Sequence, residues 1–83
     1  MFGYKKYTTV IMDGTDRKIV KEIIGIVNMM CNRRFGKMKC RKLDANHPTT
    51  KVIDIYTSAE LYRQTRRLIE KVYPGLCIFD VVV

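Results

Sequence analysis

Residues 32–42 read NRRFGKMKCRK; six of the eleven are Lys or Arg and none is acidic. Clustered cations of this kind recognise polyanions, because every phosphate they neutralise releases condensed counterions. Arg33 and Arg34 carry the planar fork that grips a phosphate through two hydrogen bonds, whereas Lys37 and Lys39 act as point charges. Arg41 extends the run. Arg63, Arg66 and Arg67 form a second set, with Lys71, against only Glu60 and Glu70. A charge run also serves as a solvated face that keeps a small protein soluble. With a net charge of +8 on 83 residues and the charge concentrated in one stretch, the polyanion reading is favoured. The expected partner is nucleic acid or a nucleoprotein, held through phosphates.

Catalytic chemistry has few starting points. The chain holds one serine, Ser58, and one histidine, His47. Ser58 sits at a helix start, where capping accounts for it. His47 sits beside Pro48 in a loop, and nothing in the spacing brings Cys31 or Cys40 to it. Asp13 and Asp16 form a small acidic turn of the kind that opens a helix. The cysteines Cys31, Cys40 and Cys77 are spaced by nine and thirty-seven residues with no CxxC pair, which matches no zinc signature. An odd count cannot close into disulfides alone, so reduced thiols in a cytosol are expected, each behaving as a small buried hydrophobe. No enzyme activity, metal, cofactor or small-molecule substrate is expected.

The elements that position these residues follow from periodicity. Lys6–Met12, KYTTVIM, is a β-branched strand ending at Asp13-Gly14. Thr15 is the expected N-cap of a helix with Val20, Ile23, Ile24, Val27, Met30 and Cys31 on one face, fraying over 32–35 and stopping at Gly36. Lys37–Asp44 alternates with period two and presents Lys37, Lys39 and Arg41 on one face. A turn at Ala45–Pro48 leads to a strand over Thr49–Tyr56, the second arm of a hairpin. Thr57 and Glu60 read as a capping box for a second helix bearing Leu61, Tyr62, Thr65, Leu68, Ile69 and Val72, ended by Pro74-Gly75. A last strand spans Leu76–Val83.

The order β-α-β-β-α-β resembles the ferredoxin-like split βαβ sandwich: one α+β domain over residues 1–83, an antiparallel sheet ordered 4-1-3-2, and two helices on one face. The length allows one hydrophobic core. The longest apolar stretch, Ile19–Cys31, is broken by Lys21, Glu22 and Asn28, so no membrane span is expected, and no signal-peptide pattern opens the chain.

Helices on one face leave the other face of the sheet open. Period-two alternation sends Val52, Asp54 and Tyr56 outward and Ile53 and Ile55 inward, with Leu76, Ile78, Asp80 and Val82 outward on strand 4. Strand 1 is ambiguous between Tyr7/Thr9/Ile11 and Thr8/Val10/Met12. Strand 4 carries one charge in eight residues, LCIFDVVV, and edge strands are ordinarily blunted by charge, proline or bulges. The alternative function is therefore a protein-interaction module. It would be a homodimer, or a small accessory or inhibitor protein of the kind phages and mobile elements carry, acting through strand 4 and the open face at Tyr56, Leu76, Ile78, Asp80 and Val82. Folding of Met1–Tyr4 over that strand would also cover it.

RNA-recognition motifs share this topology but stack bases on aromatic residues of the two central strands, with a third strand like RGFGFVxF. Here that strand is KVIDIYTS. It offers Tyr56 alone, with Asp54 in its middle. Contacts to the nucleic-acid backbone are therefore expected, with Tyr4 and Tyr7 as minor stacking candidates and Tyr62 and Tyr73 in the core. The phosphate loop of acylphosphatase-like folds and the CxxC of metallochaperones are absent, and the glycine loop of ACT-type sensors is only echoed by Asp13-Gly14.

Overall fold

The computed structural model describes residues 3–33 and 36–81, without the Arg33 side chain. The elements are β1 (Tyr4–Ile11), α1 (Arg17–Arg33), β2 (Lys37–Asp44), β3 (His47–Ser58), α2 (Ala59–Val72) and β4 (Cys77–Ile78). The sheet runs β2-β3-β1-β4 with every neighbouring pair antiparallel, which is the expected 4-1-3-2 order read from the opposite edge.

One buried cluster joins the layers: Ile11 from β1, Ile23, Val27 and Cys31 from α1, Ile53 and Ile55 from β3, Tyr62 and Ile69 from α2. Both helices therefore lie on one face of the sheet. The β1 ambiguity resolves with them. Tyr7, Thr9 and Ile11 face the helices, and Tyr7 stacks on Tyr62 with ring centroids 3.9 Å apart and planes within 6°. Thr8 and Val10 face the open side, because Thr8 reaches Asp54 across the strand pair.

Both helix caps sit one residue beyond the expected position. The Thr15 hydroxyl donates to the Met12 carbonyl at 2.7 Å, which closes the turn and leaves Asp16 to cap α1 by accepting from the Lys18 N–H at 2.7 Å. A carboxylate is the stronger acceptor for the exposed amides of a helix start. Thr57 remains in β3, opposite Lys5 and fully buried, and Ser58 caps α2 through the Leu61 N–H. On α2, Val72 is exposed at 48% and not part of the buried stripe.

The turn from α1 into β2 depends on a glycine. The Gly36 N–H donates to the Cys31 carbonyl at 3.0 Å, and a Cβ at Gly36 would meet Cys31 Cα, Cys31 Sγ and Thr57 Oγ1 at 3.2 Å. A side chain there would press on the packed end of α1. Of the fraying expected over 32–35, residues 32 and 33 are instead still helical, and 34–35 lie outside the described residues.

β3 is longer than expected. Its turn is only Ala45-Asn46, closed by Asp44, which accepts from the Asn46 N–H at 2.8 Å. Pro48 is tolerated because β1 pairs with β3 only from Lys51 onward, so its missing N–H breaks no bond to β1.

β4 departs most from expectation. The ladder pairs Val10 with Ile78 and Ile11 with Cys77, yet the next bond runs from the Val81 N–H, not that of Asp80, to the Thr8 carbonyl at 3.0 Å. One residue has been inserted, and Asp80 takes it up with a φ of +57°. Such a bulge ends regular pairing and reverses the facing of the residues beyond it. Asp80 consequently turns to the helix layer, where its carboxylate meets Arg66 of α2 at 2.7 Å, instead of facing the open side. Val82 lies outside the described residues.

Candidate nucleic-acid interface on the open sheet face

The ladder registers set the open face in rows. The first crosses the sheet as Lys37–Tyr56–Lys6, the second as Lys39–Asp54–Thr8, the third as Arg41–Val52–Val10–Ile78. Basic and aromatic character thus lies at one end; at the other the row is apolar, with Val52 and Val10 buried and Ile78 exposed. Tyr56 is 42% exposed between two lysines. The Tyr4 ring braces it at 5.8 Å and 65°, an edge-to-face contact. Among the described residues, Lys6, Lys37 and Lys39 make no ion pair. They line a shallow depression of about 470 Å³ together with Met38, Asp54 and Tyr56.

Asp54 organises the second row. Its carboxylate accepts from Arg41 Nε at 2.7 Å, Arg41 Nη2 at 3.5 Å and Thr8 Oγ1 at 2.9 Å. The Arg41 hydrogen bond, supported by Thr8 and by the charges of Arg41 and Lys6, outweighs burial and holds the carboxyl below its usual value. Arg41 is raised by the same bond. Since the folded-state value is the lower one, this stabilisation is complete above the ordinary aspartate pKa of about 3.9 and is lost as pH falls through the folded value. Below pH ~4 the thermal midpoint of the protein should fall more steeply than that of Asp54→Asn, so that the gap between them narrows. Parallel melts at neutral and acid pH check this; a constant gap contradicts it.

The structure divides the expected basic patch. Lys37, Lys39 and Arg41 project from β2 onto the open face, as alternation predicts, but the Arg41 head is committed to Asp54. Arg63, Arg66 and Arg67 belong to α2, in the opposite layer. Arg63 and Arg67 are exposed. Arg66 is held by Asp80 at 2.7 Å and Glu70 at 3.6 Å and lies 4.9 Å from the Phe79 ring centroid. Arg33 closes α1, and Arg34 lies outside the described residues. Lys6, which the sequence reading left out, completes the open-face set. Adjacent lysines at 5 and 6 hide the facing of β1, and only its pairing with β3 reveals it.

The expected strand 4 surface contracts similarly. Ile78 is 53% exposed, whereas Leu76 is half-buried against the core. Met12, 47% exposed, lies beside this edge, its N–H donating to the Leu76 carbonyl.

The remaining reactive groups are held quiet. Cys31 is buried, Cys77 half-buried and Cys40, contrary to expectation, exposed on the edge strand. Burial raises all three thiols, Cys77 to about 11 with help from Glu70, which disfavours the thiolate. His47 Nδ1 lies 2.8 Å from Asp44, which the contact holds low. The Tyr62 hydroxyl is buried without a well-formed hydrogen bond, and burial, with the Asp80 carboxylate acting on it, pushes the phenol up to about 12. Among the described residues no group of three or more His, Cys, Asp or Glu is placed to hold a metal, and no helix is long and apolar enough to cross a membrane. No protein-family model matches the chain, and no curated protein or solved structure is significantly similar to it.

Proposed function

We propose that this chain is a small ferredoxin-like domain that acts by binding, not catalysis, and that its partner is nucleic acid or a nucleoprotein. The observation that carries this reading is the placement of Lys6, Lys37 and Lys39 around Tyr56 on one face of the sheet, free of ion pairs among the described residues. Unpaired ammonium groups gain from each phosphate they meet, through contact and counterion release. The three free cysteines fit a reducing compartment such as the cytoplasm.

Titration of a labelled single strand across a salt series tests the reading. Three phosphate contacts predict a plot of log K against log salt with a slope of about −2. No binding at low salt, or binding indifferent to salt, would sink it.

A second reading, a homodimer or protein partner along β4, draws on the exposed neighbours Ile78 and Met12. Light scattering on a sizing column, read with the ratio of absorbance at 260 and 280 nm, separates the two. The chain has no Trp, so co-purifying nucleic acid dominates at 260 nm. A dimer without nucleic acid favours the β4 reading.

A further inference from the structure

We infer that the depression beside Tyr56 receives one unpaired base of a single-stranded nucleic acid, stacked on the Tyr56 ring with an amino group turned toward Asp54. This rests on the polyanion reading above and names what that site takes.

A row of lysines alone would suit any polyanion, duplex or single-stranded. Three features of the open face narrow the choice. Tyr56 offers an exposed aromatic surface directly between Lys6 and Lys37, and Tyr4 fixes its position. A free base has a π-face to lay on such a ring, whereas the bases of a duplex are already stacked on one another. Among the described residues, no helix or separate ribbon stands out from this face to enter a groove. Second, the lysines are spaced for a strand running past the ring. Lys6 and Lys37 stand two strand spacings apart, about 10 Å, and Lys37 and Lys39 about 7 Å along one strand. The shorter spacing suits neighbouring phosphates of an extended strand, and the longer one lets the strand pass between the lysines with a base over the ring.

Third, the depression contains a carboxylate. An acidic group beside three lysines would ordinarily repel phosphate, but the Asp54 charge is matched by Arg41. A carboxylate has about four acceptor sites; Thr8 and Arg41 occupy three, so one more donor can be accepted. Cytosine, adenine and guanine carry an exocyclic amino group that donates. Uracil and thymine flank their single ring N–H with two carbonyl oxygens, which a carboxylate repels. The site therefore distinguishes amino-bearing bases from uracil and thymine. Contacts confined to the backbone, the expectation from sequence, do not account for Tyr56, Tyr4 and Asp54 meeting the lysines at one place.

The experiment compares oligocytidine and oligouridine RNA, oligodeoxycytidine and oligothymidine DNA, a mixed-sequence duplex and inorganic polyphosphate, by anisotropy or competition at one ionic strength. Cytidine strands should bind about tenfold tighter than uridine or thymidine strands and should outcompete the duplex. Whichever cytidine strand binds tighter identifies the preferred sugar. Tyr56→Leu should lose about tenfold in affinity for cytidine strands, with binding of polyphosphate and the salt slope unchanged, while Tyr56→Phe keeps the affinity. If the protein binds polyphosphate and all strands alike and Tyr56→Leu changes nothing, the base site is wrong and the polyanion reading stands. If polyphosphate and every strand fail to bind, both fall.

Discussion

Reversing Lys6, Lys37 and Lys39 together to glutamate should weaken binding of a single strand by about three orders of magnitude at low salt. A charge-assisted contact is worth about 1.5 kcal/mol, three give roughly 4.5, and each tenfold in affinity takes about 1.4. The salt dependence should flatten as well, by about 0.7 for each phosphate contact removed. The fold should survive, because all three side chains are exposed and make no ion pair among the described residues, although losing the Lys6 charge near Asp54 costs a little. Lysine-to-glutamine replacements at the same positions provide a milder version without new repulsion toward Asp54. The decisive control reverses Arg63, Arg67 and Lys71. It removes the same number of charges from α2, in the other layer. If net charge alone drives association, the two triples behave alike; if the open face binds, only the first loses the strand. Titrations of both triples, with circular dichroism to verify folding, decide between these outcomes.

The largest effect on stability is expected at Ile53. It is fully buried in β3, between Thr9 of β1 and Cys40 of β2, and belongs to the cluster that joins both helices to the sheet. Truncation to alanine removes three carbons and leaves a cavity that the two central strands cannot close. The cost should be about 3–4 kcal/mol. For a chain of this size each kcal/mol lowers the thermal midpoint by about 4–8 °C, so a fall of roughly 12–30 °C is expected. Ile78→Ala is the matched comparison: same chemistry, but 53% exposed. Its effect should lie within about 0.5 kcal/mol. Thermal melts of both variants check the inside and outside assignment of the sheet, and equal midpoints would contradict it.

On β3, one unambiguous residue sets the alternation. Asp54 cannot be left unpaired in an apolar core, and its outward placement determines Val52 and Tyr56 on one side and Ile53 and Ile55 on the other. The limits of β2 were legible because charged and apolar residues alternate from Lys37 almost to the turn. β1 lacked such a marker. Its facing is decided by the stacking of Tyr7 on Tyr62, a contact between residues far apart in the chain. The caps fall one residue beyond Thr15 and Thr57, at Asp16 and Ser58, although both threonines are good caps in isolation. Only the turn at Met12 and the pairing of Thr57 with Lys5 show that both are otherwise engaged.

The candidate site was half legible. Lys37, Lys39 and Tyr56 could be read from β2 and β3 alone. Uniting them with Lys6 and Tyr4, and separating them from Arg63 and Arg67, requires the strand order and the layering. A list of basic residues does not contain that information. The course of β4 was not legible, because nothing in a run of apolar residues announces that Asp80 will adopt a left-handed backbone.

That single residue bears on how copies of the protein behave when crowded. Fibril growth by strand addition needs a rim with an unbroken row of outward amide and carbonyl groups. At one rim, β4 offers two residues before Asp80 kinks the chain and Arg66 anchors the kink. At the other, β2 presents Lys37, Lys39, Arg41 and Lys42, whose charges resist an identical copy. A tail that by composition alone would template its own polymerisation is thereby interrupted in the folded state. Partial unfolding that releases the Asp80–Arg66 contact is then the event that would expose it, which places the risk of aggregation in locally opened molecules and not in the intact native fold.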